Sequence, residues 1–160
     1  MKLILFQPCG VSMRDAQANY LGLVLTTAIC AGISAAGTFL AGKRATKSGD
    51  DKKFFVSFVT QYMDPVLQRR ISSGPTWASW LYHQVRCGLA HGFTIESGGI
   101  ELGIKGYVAM TQSGPEIDPQ GLLDDFAAGW SKYLDDVRIA GEHSGLGTKF
   151  SARFRDVFHD

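Results

Sequence analysis

Hydrophobic positions recur along this chain with two different periods. From Tyr20 to Gly42, YLGLVLTTAICAGISAAGTFLAG, no residue is charged. Leu21, Leu25, Ile29 and Ile33 repeat every four residues, and Ala28, Gly32 and Ala36 form a second row of small side chains. That spacing predicts a helix with a bulky ridge and a smooth face for close approach of another helix. After the polar loop GKRATKSGDD, where Asp50 or Asp51 can cap the next helix, DKKFFVSFVTQYM carries Phe54, Phe55, Phe58, Val59 and Tyr62 at helical spacing. DPVLQRRI reads as a short helix or turn with proline at its first position. Ser72 or Ser73 then opens a helix striped by Trp77, Leu81, Val85 and Leu89, which Gly92 stops.

The period then changes. FTIESGGIELGIKGYVAMTQSG alternates apolar and polar residues around Gly98 and Gly99, which predicts a β-hairpin or short meander over about residues 93–112. Pro115 and Pro119 bracket a turn. GLLDDFAAGWSKYLDDVRIAGEH returns to helix, with Leu122, Leu123, Phe126, Trp130, Tyr133, Leu134 and Val137 on one side and Gly141 at its end. TKFSARFRDVF is a short last helix with Phe150, Phe154 and Phe158 four apart. The expected fold is therefore mainly α. It is a single domain over 1–160, a bundle of five or six helices with a small β insert, its core helices near 15–92 and 120–158.

Composition narrows the classes. The net charge of +1 advertises neither nucleic acid nor membrane by a global field, so any such site must be a local cluster. Cys9, Cys30 and Cys87 are far apart and form no CxxC pair, which disfavours a zinc site or a disulfide scaffold and suits a reduced, cytoplasmic setting. The start, MKLILFQPCG, lacks the long apolar region and small-residue cleavage site of an export signal. The uncharged Tyr20–Gly42 stretch is long enough to span a membrane and is followed by Lys43, Arg44 and Lys47. About half of it is Gly, Ala, Ser or Thr, so we read it as a buried helix of a soluble protein, with no membrane partner.

The stretch RCGLAHG, residues 86–92, sets a permanent cation and a titratable imidazole five positions apart in an apolar setting. On a regular helix, Arg86 and His91 point about 140° apart and do not meet side by side. Two copies of the helix packed across a two-fold axis solve this: each Arg86 then lies near the partner's own imidazole, and Cys87, Gly88 and Ala90 allow the close approach. An apolar stripe without a mate in a single copy points the same way, to a homodimer formed partly by Thr76–His91. Tyr82, one turn before Arg86, faces the same site, and His83 adjoins it.

These residues carry a resemblance. LYHQVRCGLAHGF, preceded by a helix rich in small residues and by FFVSFVTQYM, resembles the signature region of the HEPN superfamily (higher eukaryotes and prokaryotes nucleotide-binding). Its members are compact helical domains with an arginine, a short spacer and a histidine. The resemblance covers roughly residues 15–92 and the long helix near 121–140. It implies the metal-independent endoribonuclease activity of many members, and its pattern matches Arg86 and His91 as catalytic residues. Tyr82 and His83, placed beside Arg86 by their position on the helix, can line the same cleft or be ordinary packing and surface residues. Arg86 would bind the scissile phosphate through its fork of donors, and His91 would move protons to and from oxygen. One position departs from the pattern. Active members often carry a polar residue directly after the arginine, and here it is Cys87. Some members of the superfamily only bind or scaffold, so a noncatalytic dimerisation and protein-interaction module is the alternative.

The bland readings stay open beside these. Arg86 can be an exposed helix residue or pair with Asp124 or Asp125, and His91 can cap a carbonyl. Trp77, Trp80 and Trp130 can stack on bases but suit a core. Lys149, Arg153 and Arg155 can touch phosphates but suit a solvated face. Asp124, Asp125, Asp135 and Asp136 lack a neighbouring histidine at metal spacing, so no metal and no cofactor is expected. Gly145-Leu146-Gly147 lacks the lysine of a phosphate loop.

Overall fold

The computed structural model describes residues 13–88, 95 and 98–158, with side chains from residue 21 onward. It is mainly helical, with five helices and a small three-stranded sheet among the described residues. Helix α1 is Met13–Ala41, and α2 is Asp50–Tyr62. A 3-10 turn follows at Pro65–Gln68, where the Asp64 carboxylate accepts from the Val66 amide at 2.7 Å. Helix α3 begins as an α-helical turn at Trp77–Trp80 and continues as a π-helix over Leu81–Cys87. Helix α4 is Pro119–Ala140, and α5 is Gly145–Phe158.

Helix α1 is the central packing element and touches every other helix. Its buried stripe is Thr26, Ile29, Cys30, Ile33, Ala36 and Leu40. Small residues set the distances. A methyl group at Gly37 would collide with the Phe54 carbonyl oxygen of α2, and one at Gly32 would stand 2.8 Å from the Phe126 ring of α4. These are the close approaches that a smooth helix face permits. The ridge expected from sequence is only half buried, however: Ile29 and Ile33 are interior, whereas Leu21 is 69% exposed. Ala28, in the small row, is also exposed. Leu21–Ala41 is long and apolar enough to cross a membrane, and in the fold only part of it is covered.

Against α1 pack Phe55, Phe58 and Val59 of α2, Leu81 and Val85 of α3, and Leu122 and Tyr133 of α4, all fully buried. Trp77 and Trp80 belong to this core and meet edge to face. Trp130 packs against Phe39 and Tyr133. On the expected apolar side of α4, Leu134 instead faces solvent.

The β insert differs from the expected hairpin. Strand β1 is Gly99–Ile100, β2 is Val108–Thr111 and β3 is Gly114–Ile117, in the order β1-β3-β2. The hairpin is β2–β3, turning at Gln112 and Ser113, and β1 lies parallel to β3. Gly98 therefore enters a strand rather than turning a hairpin. Its φ of 100° and its close approach to the Pro115 carbonyl explain why glycine stands there. Pro115 is in a strand, not a turn, and Pro119 opens α4. Residues 93 and 94, at the start of the expected insert, lie outside the described residues.

Caps differ too. Helix α2 is capped by Gly49 in the left-handed region, while Asp50 accepts from the Thr46 and Lys47 amides and so ties the preceding loop. Thr76, not Ser72 or Ser73, caps α3, its hydroxyl accepting from the Ser79 amide at 3.2 Å.

Candidate functional site

The π-helical winding of α3 decides what surrounds Arg86. Its hydrogen bonds span five residues rather than four, so side chains four and five apart share a face. Tyr82 accordingly meets both Arg86 and Cys87. The Arg86 guanidinium carbon lies over the Tyr82 ring, 5.5 Å from its centroid. An Arg86 Nη1–H points at the Cys87 sulfur at 4.0 Å. Tyr82 itself is anchored edge-on against Phe55 of the core. A rigid ring thus holds the cation in place from below.

Arg86 does not reach Asp124 or Asp125. Its ion partner is Asp51 in the first turn of α2, at 3.7 Å, with the Arg86 side chain 25% exposed and Asp51 51% exposed. Asp125 is occupied elsewhere, accepting the Tyr107 hydroxyl at 2.6 Å and the Asp64 amide. Burial raises the Asp125 carboxyl above its ordinary range, against the pull of those two hydrogen bonds. It is therefore a structural carboxylate, not a solvated one.

Burial, then the Cys87 thiol, push the Tyr82 phenol up. Cys30, in the wall of α1 behind the pair, is pushed up to about 12 by burial, with Arg86 pulling the other way. His83 meets the Tyr82 ring edge-on at 5.2 Å, and partial desolvation followed by the Lys52 ammonium holds its imidazole below 6.5. His91 lies outside the described residues, as do Leu89, Ala90 and Gly92.

The structure thus brings Tyr82, His83 and Arg86 together at one end of the bundle. Sequence spacing does not show Asp51, a cap candidate 35 positions before Arg86, nor the sulfur contact of Cys87, a small residue suited to close packing. No group of three or more His, Cys, Asp or Glu side chains is placed to hold a metal ion among the described residues.

A second charged region adjoins the first. The α1–α2 loop carries Lys43, Arg44 and Lys47, and α5 lies against it. Arg44 pairs with Asp156 at 2.9 Å and donates to the Asp156 carbonyl. Arg153, expected on a solvated face, is 16% exposed; it donates to the Thr38 hydroxyl at 3.0 Å and pairs with Asp156. The Arg44 hydrogen bond, reinforced by Arg153, holds the Asp156 carboxyl below its ordinary range.

No protein family, curated protein or solved structure matches this chain.

Proposed function

We propose that this protein is a HEPN-like RNA-binding protein that works as a homodimer in the cytoplasm, with Arg86 as its phosphate grip. The observation that carries the reading is the state of Arg86. Its guanidinium is stacked on Tyr82, partly open to solvent, and held by a carboxylate only at 3.7 Å. Such a pair is weak, and an RNA phosphate exchanges for Asp51 with a gain in bidentate hydrogen bonding. In this reading α1 is a packing helix, and Tyr82 and His83 line the bound strand.

Cleavage is the activity that the reading predicts. Attack by the RNA's own 2′-hydroxyl needs charge stabilisation at phosphorus and proton transfer at oxygen. Arg86 supplies the first and His91 the second, brought together by two copies of α3. RNA incubated with the purified protein in chelator should be cut to products ending in a cyclic phosphate. Arg86→Ala and His91→Ala should each slow cutting by about 10²–10⁴. Activity that survives both substitutions, or that chelator abolishes, refutes the mechanism.

One observation favours a second reading, a noncatalytic interaction module. The residue after Arg86 is a cysteine whose sulfur faces the guanidinium, where active members often place a polar residue. RNA binding without cutting, lost in Arg86→Ala, supports the binding domain. Absence of binding to RNA of any sequence, with a dimer present, supports the module.

A further inference from the structure

Helix α1 has an apolar side that no other described residue covers. Leu21 is 69% exposed and Val24 59%, and Ala28, Ala31 and Ala35 are exposed on the turns that follow. Alternating steps of three and four residues place these five in one stripe along the helix. The outward side of a helix in a small domain is normally polar. Here no residue from Leu21 to Ala41 is charged, and the segment is long and apolar enough to cross a membrane.

The helices packed on α1 lie to its other sides. Gly37 meets Phe54 of α2, Gly32 meets Phe126 of α4, and Gly22 meets Pro119. Helix α5 runs antiparallel to α1 at its C-terminal end, where Lys149 lies against Gly42 and Arg153 donates to the Thr38 hydroxyl. The described part of α5 stops at Phe158, and the stripe from Ala35 back to Leu21 is left open. Cys30, behind the Arg86 pair, is two residues from Ala28 and hence about 160° round the helix. The stripe therefore faces away from Arg86 and α3.

Side-chain size along the stripe has a midpoint. Leu21 and Ala35 each lie seven residues from Ala28, and Val24 and Ala31 lie four and three from it. The large side chains are on one side of Ala28 and the small ones on the other. An antiparallel copy turned about a two-fold axis at Ala28 sets each Leu21 on the Ala35 of the opposite chain, each Val24 by Ala31, and Ala28 against itself. Large meets small throughout, as a self-complementary contact requires. No like charges meet across the axis, because the stripe holds none. Its length of about 21 Å gives a contact of roughly 1,000 Å² in total, at the small end of specific interfaces. Lipid fits less well, since alanines offer little area and the stripe has no aromatic or basic anchor for a bilayer surface.

From this geometry we infer that α1 pairs antiparallel with α1 of a second copy through Leu21, Val24, Ala28, Ala31 and Ala35, a contact separate from the one at α3. The pairing holds whether or not Arg86 grips RNA.

The test is sedimentation velocity of the full chain from about 1 to about 100 µM, the range of a small interface. Wild type should associate within it. Ala28→Glu puts two carboxylates on the axis and should cut the associated mass to half or less, with the circular dichroism spectrum unchanged. Arg86→Ala, on the far side of α1, should leave the α1 contact intact. Leu21→Ala should raise the dissociation constant about a hundredfold, tenfold at each of two symmetric contacts. Ala35→Leu sets large against large and should weaken association by about tenfold or more. The double variant Leu21→Ala, Ala35→Leu restores large against small and should associate to within about threefold of wild type. A wild type that stays monomeric at about 100 µM, or an associated mass indifferent to Ala28→Glu, overturns the inference. A double variant no better than its two singles overturns the antiparallel register and the inference with it. Flotation of wild type with phosphatidylcholine vesicles, lost in Ala28→Glu, makes lipid the occupant and overturns it as well.

Discussion

Arg86 lies over the face of Tyr82, four residues earlier on the same helix, with 5.5 Å between guanidinium and ring centroid. The ring is 8% exposed and locked against Phe55, so the cation sits on a fixed base rather than at the end of a mobile stem. A ring of this kind contributes about 0.5–1 kcal/mol to holding the cation at a surface site. Tyr82→Phe keeps the π-face and should leave RNA affinity near wild type. Tyr82→Leu should weaken it by about two- to fivefold, the same energy expressed as a ratio. Fluorescence anisotropy with a labelled oligonucleotide measures both; equal affinities for the two variants would mean that the ring does not position Arg86.

The α1–α2 contact should be unforgiving at one position. Gly37 faces the Phe54 carbonyl, which is backbone and unable to swing aside. Gly37→Ala should cost about 1–3 kcal/mol, the usual penalty for overpacking, and lower the melting temperature accordingly. Gly145→Ala, at the start of α5 with nothing within 4 Å, should cost nothing measurable. Calorimetry on the two variants compares them directly; equal melting temperatures would show that α1 and α2 can separate freely there.

Acid should loosen α5. The Asp156 carboxyl is held below its ordinary 3.8, first by the Arg44 hydrogen bond and then by Arg153. A depressed carboxyl contributes stability that is present above the unfolded value and is lost as pH falls through the folded one. Urea midpoints should therefore drop as pH falls through and below the ordinary carboxylate range, and drop less in Asp156→Asn, which has no such proton to take up. An identical drop in the variant would show that the pairing adds no pH-dependent stability.

The two described thiols should differ sharply in reactivity. Cys30 is 1% exposed and burial raises it to about 12, whereas Cys87 is half-buried beside a cation. Only the thiolate reacts, so a thiol reagent at about pH 8 should label Cys87 and spare Cys30 until the chain unfolds. Peptide mass mapping over time reads the order. Equal labelling in the native state would place Cys30 outside the core.

The amino-acid pattern alone determined the helices with strong periodicity. Phe54, Phe55, Phe58 and Val59 pointed inward because their spacing leaves one face apolar, and the structure buries all four. Trp77, Leu81 and Val85 did the same for α3. The pattern also singled out Arg86 with Tyr82 one turn behind it. Tertiary packing decided the rest. Which glycines turn and which admit a neighbour depends on what approaches them, so Gly98 became a strand entry against Pro115 and the hairpin moved to Ser113. The exposure of Leu21 and the partial burial of Arg153 depend on which elements reach them, and periodicity carries no such information. The partner of Arg86 came from 35 residues away, because α2 starts beside α3 only once both are packed on α1. The π winding that joins Tyr82 to Cys87 is likewise invisible to a pattern read at 3.6 residues per turn.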